Sequence, residues 1–362
     1  MSNPPTVAAS PVLSDTMPPL WMHPITRPIG ALLLLLLVDF FAVPGFFRLQ
    51  LQDGHWYGSL IDILNRAAPL MLTALGMTLV IAVRGIDISV GAVVALSGTV
   101  AAMLIGGAVQ WHDGVPEYLS RIPMGWAIAA ALGAALLCGA WNGFLVAGLG
   151  LQPIIATLVL MVAGRGLAQL LTDGQIVTVY YPPFFTIGGG YFLGLPVALY
   201  LVASVFVVLA LLLRHTALGL FLQVVGINPV AARLVGIRAG LLTFFTYVFC
   251  SGCAGTAGLI VASNVKSADA NNAGLLLELD AILAVTLGGT ALGGGKFSLA
   301  GSLFGALIIQ TLTYTIYSLG VPPEVNMVLK ALVVFAVCLM QSREFKQLWR
   351  RAVRCATRSG EA

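Results

Sequence analysis

The chain reads as an all-α polytopic membrane protein of about ten transmembrane helices, with the N- and C-termini both cytoplasmic. Composition is the first reason: of 362 residues, 59% are hydrophobic and only 9% charged, more apolar surface than a soluble domain could hide. Spacing is the second. Apolar runs of about 20 residues recur from end to end, so ten spans would use about 200 residues and leave short loops. The third is charge: Lys and Arg collect at the ends of runs, with a bias toward alternate loops. A net charge of +4 distributed in this way reports orientation in a lipid bilayer and is no nucleic-acid footprint.

Residues 1–28 hold seven prolines and no basic n-region or short h-region, which predicts a disordered cytoplasmic tail and not a cleaved signal. The transmembrane domain then occupies 29–341, and its first span, 29–47, is an uncleaved anchor. Further spans are expected at 61–83, 90–109, 124–148, 154–171 and 194–213, then at 239–262, 279–292, 298–319 and 325–341. Residues 342–362 form a basic cytoplasmic tail. The eighth span is the short one, interrupted by Gly288, Gly289 and Gly293 to Gly295, so a broken or re-entrant helix competes with a crossing. Parity favours a crossing. With ten spans, twelve of the eighteen Lys and Arg fall inside: Arg27, Arg84, Arg214, Arg233, Arg238, Lys296 and six in the tail. Aromatics gather in the outer loops (Trp56, Tyr57, Trp111, Tyr118, Tyr180, Tyr181, Phe184, Phe185), as an interfacial belt would. No span pair repeats at a fixed period.

The longest polar-flanked gap of the second half, 214–238, encodes a short helix. Asn228 is placed as N-cap, Pro229 at the first helical position and Gly236 as the left-handed stop. About two turns are too few to be stable alone. Val230 with Leu234, and Ala231 with Val235, make an apolar stripe, with Arg233 on another face. That pattern fits a helix lying on lipid headgroups or a peg docking into a cytoplasmic partner.

Two further motifs stand out. RGIDISVG, Arg84 to Gly91, joins the second and third spans; Asp87 or Ser89 can cap the third helix, and Gly85 and Gly91 allow close turns. LELDAILAVTLGGTALGGGKFSLAGSLFGALII, Leu277 to Ile309, opens on Glu278 and Asp280 and continues through Gly288, Gly289 and Gly294. Acids at the outer end of a span should face a pathway or loop, or serve the helix N-terminus. Gly293 to Lys296 is no phosphate loop, because Phe297 follows the lysine and Thr290 stands where the first Gly belongs.

Together these strings resemble the permease subunits of sugar ABC importers of the ribose and galactofuranose type, over about 29–341. The run TALG followed by VGINPVAARLVGI resembles that family's cytoplasmic coupling loop, and RGIDISVG and the Leu277 to Ile309 run resemble its two signatures. LQDGHWYGSLIDILNRAAP, SADANNAGLLLELDAILAV and PPEVNMVLKA extend the likeness to the galactofuranose-type permease. The resemblance implies a bacterial inner-membrane subunit with no ATP site and no cofactor of its own. Gly226, Asn228, Pro229, Val230, Ala231, Arg233, Leu234 and Gly236 would dock an ABC ATPase. A periplasmic sugar-binding protein would deliver substrate. A second permease subunit would complete the path, different or identical.

Polar residues inside spans are the pathway candidates available from sequence: Asn65, Asn142, and Arg165 with Gln169 on one face of the fifth span. Glue between helices is an equal reading for Asn142 and Arg165. Cys250 and Cys253 have metal or redox spacing without a second pair or a His cluster, and read as small packing residues. The four histidines lie apart in tails and loops, which leaves no catalytic constellation. The rival from another class is an ion-coupled secondary transporter, which needs a mid-span acid; Asp39 is the one candidate.

Overall fold

The computed structural model describes residues 26–320 except 53, 107, 113 and 114, and beyond 320 only positions 322, 325, 328, 331, 332 and 335. The N-terminal tail up to 25, most of the tenth span and the basic C-terminal tail lie outside the described residues. The helices are α1 (Thr26–Ala42), α2 (Ser59–Ala82), α3 (Val90–Ile105), α4 (Met124–Gly143), α5 (Pro153–Leu171) and α6 (Pro182–Gly189). They continue as α7 (Val197–His215), α8 (Leu218–Ile227), α9 (Pro229–Leu234), α10 (Ala239–Val265), α11 (Leu277–Leu287) and α12 (Leu299–Ser318). A π-helical turn, Phe144–Gly148, extends α4.

Each of the first nine expected spans has its helix, with shifted ends. α1 starts at Thr26, so Arg27 and Pro28 are helical and not tail; Pro28 is tolerated there because a first turn has no N–H partner to lose. Several short elements outside the spans were not legible in the sequence, among them three hairpins and a short helix. Hairpins join β1 (Gln50–Gln52) to β2 (His55–Tyr57), β3 (Ala108–His112) to β4 (Val115–Leu119), and β6 (Tyr191–Phe192) to β7 (Leu195–Pro196). The short helix is α6, and its Phe184 is fully buried, not part of an aromatic belt.

α2 and α10 form the centre. In α2, 78% of the most apolar 18-residue window is buried, against 17% in α7, which puts α7 on the outside with its leucines toward lipid. Small residues let the central backbones meet: a side chain on Gly76 would strike Cys250, one on Gly258 would strike Ser97 and Val94, and one on Gly305 would strike Ala284. Cys250 is thus a packing residue.

Two apolar clusters mark the ends of the bundle. One gathers Leu79 and Val83, Leu209, Leu222 and Val225, Ala232 and Ala239; around it lie Arg84, Arg214, Arg233 and Arg238. The other gathers Ile105, Ala127, Phe184, Leu259 and Ala262. α2 therefore runs toward the basic end, while α10 and α3 run away from it.

α3 packs beside the far half of α10, with Ser97 at the level of Gly258. Two turns earlier, at a rise of 1.5 Å per residue, Gly91 lies about halfway along the 27-residue α10. Residues 83–89 thus climb non-helically from the basic end to mid-depth before α3 begins. The second half does the same in reverse. α10 ends at Val265, β8 (Ser267–Ala268) pairs with β5 (Val177–Thr178), and residues 269–276 descend until Gly274 and Glu278 meet Gly91. α11 starts there, at mid-depth. Its 11 residues are about half the length of a full crossing.

The packing repeats even though no sequence period does. α3 and α4 lean on α10 and on each other; α11 and α12 lean on α2 and on each other. Since α2 and α10 run oppositely, the two triplets are related by inversion. Both breaks begin with a basic residue in the left-handed region, Arg84 at φ 65 and Lys266 at φ 58. α1 and α7 stand outside this symmetry, packing on α12 and α2 respectively.

Candidate functional site

At the basic end the short helix forms as its residues dictate. Asn228 Oδ1 accepts from the N–H groups of Val230 (3.0 Å) and Ala231 (3.1 Å), Pro229 opens the helix, and Gly236 turns the chain at φ 84. α8 precedes it, a ten-residue helix not separated out by sequence. One small residue, Ala232, seats α9 in the apolar cluster. The stripe points away from the protein: Val230 is 64% exposed and Leu234 84%, beside exposed Ile227, Ala231, Arg233 and Val235. An apolar patch capped so firmly and left bare marks a contact surface.

Arg84 ties that surface to the membrane core. Its Nη2 donates to the carbonyl of Ile227, the last residue of α8 (2.5 Å), and its Nε donates to the carbonyl of Gly293 (3.1 Å). Beside it the Gly295 N–H donates to the Ala82 carbonyl at 2.9 Å. Gly226 packs so closely against Ala82 and Gly295 that no side chain could replace its hydrogen. The α8–α9 loop, the end of α2 and the glycine-rich turn before α12 thus share one joint. In that turn Gly289 (φ 90), Gly294 (φ 79) and Gly295 (φ 91) adopt backbone that other residues resist. Gly288 lies against Gly301, closing α11 onto α12.

The two signature strings meet at mid-depth. Neither Asp87 nor Ser89 caps α3; no side-chain cap bond forms at Ser89. Asp87 Oδ1 instead accepts from the Ser89 N–H (3.0 Å) and hydroxyl (2.6 Å), and Asn142 Nδ2 on α4 donates to Ser89 Oγ at 2.9 Å. The acid is drawn inward because 83–89 runs through the bundle interior, where polar groups find partners only on other spans. Gly85 fits beneath the Tyr247 hydroxyl, and a side chain on Gly91 would overlap the Glu278 carboxylate and the Gly274 carbonyl. Glu278 is not at the outer end of its span but buried at the start of α11, because the preceding segment has already descended. Asp280 is half-buried one residue pair further on.

Of the polar pathway candidates, three hold helices and loops together. Asn142 is committed to Ser89. Arg165 Nη1 donates to the carbonyls of Ala270, Asn271 and Ala273, and Gln169 Nε2 to Asn271 Oδ1 (2.7 Å). They pin the descending segment 269–276 to α5. Asp39 is also occupied, accepting from the Thr315 hydroxyl at 2.5 Å and fastening α1 to α12. Asn65 Oδ1 is buried with no hydrogen-bond partner among the described residues, as are Asn142 Oδ1 and Asp39 Oδ2, and Asn65 also lines a cavity.

Sequence reading counted Arg84 among the inside charges without seeing its joint, and missed Ala232 and Gly274 altogether. The one available signal was the stretch Arg84-Gly85 following α2 without an acidic neighbour on the helix to pair with.

Fold and surfaces define a multi-pass membrane protein: among the described residues six helices are long and apolar enough to cross a bilayer, and shorter apolar helices cover 28–42, 90–105 and 218–227. More particularly, the chain belongs to the family described as the permease component of the branched-chain amino acid transport system, which matches residues 59–338. It is 50% identical over 319 residues to the galactofuranose transporter permease protein of Escherichia coli strain K12, covering 88% of this chain and 89% of that one. The fructose import permease protein of Bifidobacterium longum strain NCC 2705 is 38% identical over 330 residues, 90% of this chain and 89% of the relative. The ribose import permease protein of E. coli K12 is 36% identical over 318 residues, 87% and 92% of the two chains. The likeness to sugar importer permeases read from the motifs is therefore met along nearly the whole membrane body. No solved structure matches.

Proposed function

We propose that this chain is the membrane-spanning subunit of an ABC importer and forms the path for a monosaccharide of the galactofuranose type. A separate ATPase subunit docks on α9 at the cytoplasmic face. A periplasmic binding protein presents sugar at the opposite face, and a second permease, different or identical, completes the path. In this reading the protein sits in the bacterial inner membrane with ten spans and both termini inside; α11 with 269–276 makes the eighth crossing.

The observation that carries the reading is the docking surface itself. α9 is preformed by its Asn228 cap, presents Val230 and Leu234 outward, and is joined through α8 and Arg84 to both signature strings. A helix this short that exposes its largest apolar residues is stabilised by what it docks into. Movement of the ATPase then reaches the mid-depth junction of α3 and α11 through a rigid connection.

The experiment is Leu234→Asp. A carboxylate forced into a protein cleft without a partner costs several kcal/mol, so the ATPase should no longer co-purify and uptake should cease, with the permease still in the membrane. ATPase recovered at parental levels with uptake intact would place α9 on lipid headgroups and refute the docking role.

A further inference from the structure

The end of the bundle away from the basic loops contains a cavity of about 370 Å³ between β2, the first two turns of α2, β6 and the far end of α12. Such a volume falls at the small end of ligand pockets, about 300 to 1,000 Å³. Its walls are aromatic and its floor is polar. Tyr57, Tyr191 and Tyr314 supply rings; Ser59, Asp62 and Asn65 supply hydrogen-bonding groups. The three polar residues fall three apart on α2, so they share one helix face.

The rings are held from outside the cavity. His55 stacks on Tyr191 with centroids 4.8 Å apart, Tyr57 packs against Tyr191 at 5.3 Å, and Phe46 stands edge-on to Tyr314 at 6.0 Å. Burial, and then the neighbouring Tyr57 and Asp62, push the Tyr191 phenol above its ordinary value, so its O–H persists as donor and acceptor across physiological pH. At the floor, Asn65 Oδ1 is buried and unpartnered among the described residues. Pro69 lacks the N–H that would bond the Asn65 carbonyl in an unbroken helix. Asp62 is already neutralised, with both carboxylate oxygens 2.9 Å from Arg66 Nε. The cavity therefore offers aromatic faces and neutral or charge-balanced hydrogen-bonding groups; its one lining carboxylate is already paired with Arg66, which leaves neither the separate anion and cation that a zwitterionic amino acid would engage nor the net negative charge that a metal ion would need.

We propose that this cavity is an entry site for a single sugar ring, whose C–H face lies on the tyrosines and whose hydroxyls are read by Asn65, Asp62 and Ser59. A neutral, hydroxyl-rich ring matches a lining that is aromatic on its walls and hydrogen-bonding at its floor. The site rests on the monosaccharide reading above and deepens it, placing the first contact of the path on this chain and not only on the delivering protein.

The test uses the full chain in proteoliposomes, without ATPase or binding protein, so that it stands apart from the importer reading. Ser59→Cys is modified with a membrane-impermeant thiol reagent, and Tyr180→Cys, outside the cavity, is the reference position. D-galactose should slow modification at 59 at least about threefold in a saturable manner and leave 180 unaffected, while L-leucine should protect neither. Adding Asn65→Ala should remove the protection. In the complete importer, Asn65→Ala should raise the sugar concentration for half-maximal uptake about tenfold, a loss of one good hydrogen bond, with maximal rate and ATP hydrolysis little changed. If Asn65→Ala fails to reach the membrane, Tyr191→Ala tests the same site, and Tyr191→Phe should restore most of the protection by keeping the ring. Protection by L-leucine as strong as by galactose, equal protection at 180, or protection that survives both Asn65→Ala and Tyr191→Ala would overturn the site. Saturable protection in a chain whose uptake needs no ATP would uphold the site and sink the importer reading.

Discussion

Removing Arg84 should uncouple ATP hydrolysis from uptake without undocking the ATPase. Arg84→Ala deletes the bonds to the Ile227 and Gly293 carbonyls and leaves the exposed stripe of α9 untouched. A hydrogen bond to a charged group contributes about 1.5 to 3 kcal/mol. Both of these reach water, which discounts each to about 1 to 1.5 kcal/mol, so the joint loses about 2 to 3 kcal/mol. At 1.4 kcal/mol per factor of ten, that loosens the attachment of α8 to the core by roughly 30- to 150-fold. Reconstituted importer should then hydrolyse ATP at a rate within about twofold of the parent while moving several-fold less sugar per ATP. Backbone conformation supplies an internal control. Arg84 sits at φ 65, where a residue with a Cβ is strained by about 1 kcal/mol, so Arg84→Gly should be more thermally stable than Arg84→Ala yet equally uncoupled. Arg84→Lys, with one point charge in place of a fork, should recover part of the yield. An unchanged ratio of sugar to ATP in a fully assembled Arg84→Ala importer would refute the joint.

At mid-depth, Gly91→Ala would place a methyl group on the Gly274 carbonyl and the Glu278 carboxylate; overpacking against backbone costs about 1 to 3 kcal/mol, read as a lowered melting temperature and lost uptake, with Gly166→Ala, in open space, as the silent control. Asp39→Asn keeps an acceptor for Thr315 and removes a titratable group, so ATP-driven uptake should persist and survive collapse of the proton gradient; uptake by the chain alone, driven by a pH gradient and lost in this variant, would favour the ion-coupled alternative. A reporter fused after Glu361 should read cytoplasmic and a cysteine at Gly189 should react only from outside; a periplasmic reporter would mean that 266–293 does not cross.

What the sequence determined by itself was everything local or compositional. Apolar runs of bilayer length placed the helices, and Asn228, Pro229 and Gly236 bounded α9 because capping, a preset φ and a left-handed stop depend only on adjacent residues. The family was legible in strings whose order survives without coordinates. Tertiary structure alone decided where those strings meet. Asp87 looked like a helix cap, because a cap is the commonest use of an acid before a helix; only the interior route of 83–89 turns it toward Ser89 and Asn142. Glu278 looked like an outer-end acid, since counting residues assumes that a segment between helices stays at the surface, whereas 269–276 descends non-helically and carries Glu278 to Gly91. For Arg165 the sequence left a pathway residue and glue between helices as equal readings, and it could not name the partner, because the carbonyls that Arg165 bonds belong to a loop about a hundred positions away. The inverted packing of α2, α3 and α4 against α10, α11 and α12 was invisible for the same reason: contact depends on which backbones can approach, and small residues of many kinds satisfy it, so the geometry repeats without any residue having to.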